Sequence, residues 1–306
     1  IDWIDNLRGL AIILVIIGHA HVVYPSWLKV EIYSFHMPLF FFLSGMVFSV
    51  SKYNSFLEFL RKKVRTIVVP LIVFSIIAWS INYIYYYIIL KNIEVDSFGK
   101  YILKLLIESH GDARFRSAFW FLPAIFVSQL ALYFIVKYVK EWISIILYII
   151  LAVIGSLYIY FGGPSLPWCS DLIFVIVPFM GVGYLLRTNW ERISKYVNIY
   201  SLVLGIIISV CTVHFNYIIM GKGVDLNSSD IGNPILYFVS AGAGIWILIC
   251  LFSNQVIKNI NMPILKYAGK NSILFYVLSD MTFIIPDILI FNILKINTES
   301  FPQGIQ

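Results

Sequence analysis

The chain has 306 residues, of which 60% are hydrophobic, 17% aromatic and only 12% charged, and its mean hydropathy is +0.87. A soluble domain carries about a quarter of its residues charged, so this balance excludes one. The net charge of +6 then reports membrane sidedness and contact with anionic headgroups, not nucleic acid.

Crossing a hydrocarbon core of about 30 Å takes roughly 20 helical residues. Apolar runs of that order recur near residues 7–24, 33–50, 67–90, 120–139, 142–161, 171–187, 199–219, 234–252 and 271–294. They predict an all-α, polytopic transmembrane bundle with nine visible spans. Residues 1–306 read as one integral-membrane domain, because no internal repeat, low-complexity tract or Gly/Pro/Ser-rich linker divides them. The first run lacks a basic flank and a small-residue cleavage site, so it reads as a retained span and not as a signal peptide. Cys169, Cys211 and Cys250 are scattered and odd in number, which suggests neither a disulfide framework nor a zinc site.

Basic residues assign the sides. With the N-terminus cytoplasmic, the inner segments hold Arg8, Lys52, Arg61, Lys62, Lys63, Arg65, Lys137, Lys140, Arg187, Arg192, Lys195, Lys258, Lys266 and Lys270, against the acids Asp2, Asp5, Glu58, Glu141 and Glu191. The positive-inside rule therefore favours this orientation, with "RKKVR" at 61–65 on the first inner loop. The stretch 91–119 falls outside as a long loop, where Lys91, Lys100, Lys104, Arg114 and Arg116 are diluted by Glu94, Asp96, Glu108 and Asp112.

The first span carries Arg8 and His19 with no charged residue between them. Eleven residues is close to three helical turns, so the two share a face at a separation of about 16 Å. Arg8 also reads as a snorkelling residue and His19 as a packed, hydrogen-bonded one. Two polar groups on one face suit a groove better than two idle side chains. In the second span "FHMPLFFFLSG" places His36 near the outer end, with Pro38 in the first turn and Ser44-Gly45 as a small packing surface. A short outer loop makes these helices antiparallel neighbours, which brings His19 and His36 to similar depth and suggests proton-transfer chemistry. A metal site from His19, His21, His36 and Glu31 is the rival, but His19 and His21 point to different sides of a helix. No metal is expected.

In order along the chain, "IDNLRGLAIILVIIGH", "FHMPLFFFLSG", "FLRKKVRTIVVPLIVF", "FWFLPAIF" and "GKNSILFYVL" resemble the integral-membrane acyltransferase-3 family, and within it the sugar acetyltransferases similar to fucose 4-O-acetylase. The resemblance implies transfer of an acyl group, usually acetyl from acetyl-CoA, to a hydroxyl of a cell-surface glycan or its lipid-linked precursor. Arg8 and His19 match the family's essential pair, and His36, Arg65 and Trp120 match recurrent positions. It also implies ten spans and a histidine shortly after "NSxxxY", where this chain has Ser279 and then Asp280. A start at Ile1 and the lack of a visible tenth span read as clipping at both ends.

Chemistry and resemblance together assign roles. His19 is the expected general base or nucleophile, with Arg8 and His36 completing the catalytic set. Arg8 and Arg65 are expected on the coenzyme A phosphates, for which a forked guanidinium is suited. Trp120, Arg114 and Arg116 are expected to bind the acceptor. The expected partners are acetyl-CoA, the glycan acceptor and membrane lipid, and the expected location is the bacterial cytoplasmic membrane. A glycan exporter or flippase, or a proton-coupled transporter using His19 and His36 as a relay, would share the spans and the polar groove. Neither accounts for the Arg8 to His19 spacing combined with "FHMPLFFFLSG".

Overall fold

A computed structural model describes residues 2–19, 26–84, 97–107, 119–254, 257 and 260–282. Among these the chain is helical, and its only extended pairing is an isolated bridge between Asp225 and Asp230. Six described helical segments are long and apolar enough to cross a membrane: Phe56–Ile81, Phe121–Tyr138, Glu141–Tyr160, Pro167–Thr188, Ile199–Met220 and Pro234–Ser253. An all-α polytopic bundle is the architecture. The chain divides into two compact units, residues 1–43 with 185–306, and residues 44–184.

In the first unit α1 (Asp2–His19) is followed by α2 (Ser26–Met46). Helix α2 starts seven residues before the apolar run that predicts it, because its first turns carry the polar Lys29 and Glu31. Pro38 and His36 are consequently mid-helix and not in a first turn. After the short α9 (Trp190–Ile193), four later helices of this unit bear on the site. They are α10 (Ile199–Met220), α11 (Pro234–Ser253), α12 (Pro263–Lys270) and α13 (Ser272–Thr282). Helix α10 opens on an Asn198/Ser201 capping box, in which each side chain satisfies the other residue's backbone N–H. The turn into α11 is locked from inside by the buried Asn216. Its Nδ2 donates to the Ile231 carbonyl at 3.2 Å, and its Oδ1 accepts the Asn233 N–H at 2.8 Å.

Helices α1 and α12 meet backbone to backbone. A Cβ on Gly9 would overlap the Leu265 carbonyl, and one on Gly269 would overlap the Asp5 carbonyl. Small residues that admit such an approach are a general device of membrane helix packing. The Trp3 and Trp190 rings lie 5.5 Å apart. The start of α1, the 189–196 segment and α12 therefore gather at one end of the unit, together with Arg192, Lys195, Lys266 and Lys270. The turn between α10 and α11 lies at the other end, where Gly223 approaches Val30 of α2.

In the second unit α3 (Phe56–Lys63) passes through a π turn at Val64–Val68 into α4 (Val69–Asn82). Pro70 supplies no N–H to the carbonyl four residues before it, and a π turn absorbs such a defect. The stretch expected to be loop from 91 to 119 contains a helix, α5 (Phe98–Ile107). It is fixed by the Tyr101 hydroxyl donating to the Ser75 carbonyl at 2.8 Å and by Phe98 lying edge-on to Trp79. Ten residues are too few to register as a span, so apolar-run length alone misses it. Helices α6 (Phe121–Tyr138), α7 (Glu141–Tyr160) and α8 (Ile173–Thr188) complete the unit. The Phe56 and Phe59 rings pack on Tyr133 at 5.3 and 4.6 Å. This sets the start of α3 beside the end of α6, and brings the 61–65 cluster to the same end as Lys137 and Lys140.

Candidate active site

Helix α1 carries Arg8 near its start and His19 as its last residue. The guanidinium is held in place: Nη2 donates to Ser272 Oγ at 3.3 Å, and Nη1 lies 4.0 Å from Asp5 Oδ1. The Arg8 and Asp5 side chains are 29% and 24% exposed, whereas Ser272 is buried. A purely snorkelling arginine would extend into water without such partners. The fork has five N–H donors, so this anchoring leaves donors for an anion. The close approach at Gly269 explains how Ser272 comes within reach, since α13 begins where α12 lies against the backbone of α1.

The other end of the face is built by α2. The His36 imidazole is 2% exposed, and its Nδ1 lies 2.9 Å from the Ile32 carbonyl. A carbonyl only accepts, so this contact places a proton on Nδ1 and, in the neutral ring, the lone pair on Nε2. Tyr33 joins the two helices. Its ring meets His36 at 4.9 Å and 60°, and its hydroxyl donates to the Gly18 carbonyl at 3.2 Å. The last four carbonyls of a helix have no partner within it, and Gly18 is the residue before His19. The backbone bearing His19 is thus tied to α2 one turn from His36, as the shared depth of the two histidines requires. The His19 side chain lies outside the described residues.

Between these ends the face is packed. Ile12 and Val15 lie on the Arg8 to His19 stripe and are 0% and 1% exposed. Among the described residues these two side chains close the stripe between Arg8 and the end of α1, so a long ligand lying along it must displace them.

Arg65 and Trp120 belong to the second unit. Arg65 is exposed in the π turn of the second unit, near Lys63, whose ammonium lies 5.3 Å from the Phe59 ring and 5.9 Å from that of Phe48. Trp120 precedes α6 and is half-buried, with its ring edge-on to Phe121 at 6.4 Å. Arg114, Arg116 and His21 lie outside the described residues, as do the side chains of Ser279 and Asp280. Glu31, of the rival metal reading, is bonded by Ser209 Oγ at 2.5 Å and sits about 140° around α2 from His36. Among the described residues no three His, Cys, Asp or Glu side chains group as metal ligands.

Sequence reasoning missed Asp5, Tyr33 and Ser272. Ser272 and Gly269 stand in the quoted "GKNSILFYVL", but nothing in that string says that it meets α1. The family described as "Acyltransferase domain" matches residues 1–300. No curated protein and no solved structure matches the chain.

Proposed function

Because the chain belongs to this membrane acyltransferase family, we propose that it moves an acetyl group from acetyl-CoA to a hydroxyl of a cell-surface glycan or its lipid-linked precursor, at the bacterial cytoplasmic membrane. The observation that carries the reading is the single face of α1, with a tethered arginine at its basic end and His19 at its far end. Arg8 grips the coenzyme A phosphates from the cytoplasmic side, through paired donors that a lysine lacks. The sequence with its family resemblance, and not the geometry, assigns Arg65 to the donor as well and Trp120, Arg114 and Arg116 to the acceptor.

At the reacting end His19 removes the proton from the sugar hydroxyl as its oxygen bonds to the acetyl carbonyl carbon. The carbon–sulfur bond breaks, and the departing thiolate takes up the proton from the imidazolium. His36 is sealed from solvent, and its Nδ1 bond to Ile32 supports a role in orienting the partner or sharing the proton. An exporter or a proton-coupled carrier would also need many spans, but acyltransferase membership favours neither.

The test is transfer of labelled acetyl from acetyl-CoA by the purified protein in nanodiscs. His19→Ala should abolish transfer while expression and thermal stability persist, and His36→Ala should weaken it less. Wild-type transfer by His19→Ala refutes the catalytic role. Equal losses would mark the two histidines as one non-additive unit.

A further inference from the structure

The outward half of α2 continues the site beyond His36. Lys29, Tyr33 and His36 stand at one-turn intervals and within about 60° of one another around the helix. The Lys29 ammonium lies 5.6 Å from the centre of the Tyr33 ring. That ring meets the His36 imidazole, and its hydroxyl is pinned to the carbonyl preceding His19. One stack therefore leads from an exposed cation down to the reacting end of α1.

The charges around this stack are unequal. Glu31 faces away from it and is bonded by Ser209. In the α10–α11 turn Asp230 is paired with Lys222, and Asp225 accepts the Ser228 hydroxyl at 2.7 Å and the Asn227 N–H at 3.0 Å. These nearby carboxylates are engaged, and Lys29 has no ion-pair partner among the described residues. A cation above an aromatic ring whose hydroxyl holds the carbonyl next to His19 is a recognition element for an anion attached to a sugar.

We propose that Lys29 and Tyr33 form an acceptor subsite selecting sugars that carry a negative charge, either the phosphate linking a sugar to its lipid carrier or the carboxylate of an acidic sugar. The inference rests on the acetyl-transfer reading and deepens it. The anion docks on Lys29, and the ring hydroxyl is thereby presented toward His19.

The experiment compares acetyl transfer to glucose, glucose 1-phosphate and glucuronate by the purified chain in nanodiscs of phosphatidylcholine, with and without phosphatidylglycerol. Binding of the same three sugars is measured in parallel by saturation-transfer NMR. Wild type should favour at least one anionic sugar over glucose by about tenfold, the scale of one charge-assisted hydrogen bond. Lys29→Gln should erase that ratio and Lys29→Arg should retain it. Preference for the phosphate alone or for the carboxylate alone identifies the source of the charge. No preference in wild type, a preference that survives Lys29→Gln, or a Lys29 effect seen only with phosphatidylglycerol, which marks a headgroup contact, overturns the proposal. If acetyl-CoA is not used at all, the acetyl-transfer reading fails, and the NMR preference still decides whether the anion subsite exists.

Discussion

Arg8 shows how one side chain separates two readings of the same sequence. A snorkelling arginine and an anchoring arginine both sit at a helix end, but only the second needs orientation, and here Ser272 and Asp5 provide it. Arg8→Lys keeps the charge and loses the fork, so acetyl-CoA affinity should fall by about ten- to a hundredfold, or roughly 1.5–3 kcal/mol. Ser272→Ala removes one tether and should cost about 0.5–1.5 kcal/mol, a smaller loss in the same direction. Isothermal titration of both variants with acetyl-CoA checks the order. Unchanged affinity in Arg8→Lys would return Arg8 to a headgroup role and move the donor site toward Arg61 and Arg65.

The meeting of α1 with α12 is the contact on which the Arg8 geometry depends. Gly9 and Gly269 allow two backbones to touch, and α13 leaves that contact with Ser272 facing the guanidinium. Gly9→Ala inserts a methyl where the Leu265 carbonyl stands, and should cost about 1–3 kcal/mol of stability. Activity should fall further than occupancy of the folded state, because a displacement of about 1 Å at a site far from the chemistry can cost about a hundredfold in rate. Gly99 in α5 is the control, since a Cβ there meets nothing within 4 Å. Gly99→Ala should leave stability equal or raise it by about 0.5–1 kcal/mol. Thermal unfolding in nanodiscs, read beside transfer rate, compares the two. Equal behaviour of the two variants would dissolve the argument from close approach.

Across the molecule, segments assigned to one side by alternation of the spans share an end within each unit. The start of α1 meets the 189–196 segment and α12, and the start of α3 meets the end of α6. Alternation of the spans requires these pairings in either orientation, and the distribution of basic residues selects N-in. In a chain with Cys169, Cys211 and Cys250 replaced by Ala, cysteines placed singly at Ser165 and Lys222 should react with an impermeant maleimide in intact cells. Cysteines at Lys140 and Arg192 should react only after permeabilisation. The reverse pattern would put Arg8 on the outer side, away from the proposed cytoplasmic donor.

Helix class, the approximate position of most spans and the pairing of Arg8 with His19 on one face were determined by the sequence alone. Hydropathy and the 3.6-residue period are local properties of consecutive residues, and a bilayer leaves an apolar 20-mer few alternatives to a helix. The tertiary structure decided what those residues touch. The start of α2 at Ser26, the helix inside 91–119, the seal of Ile12 and Val15 over the α1 face, and the bonds of Arg8 to Ser272 and of Tyr33 to Gly18 all depend on partners. The Arg8 to Ser272 contact spans 264 positions of chain. No local pattern encodes it, because it exists only once two glycines have let separate helices close on each other.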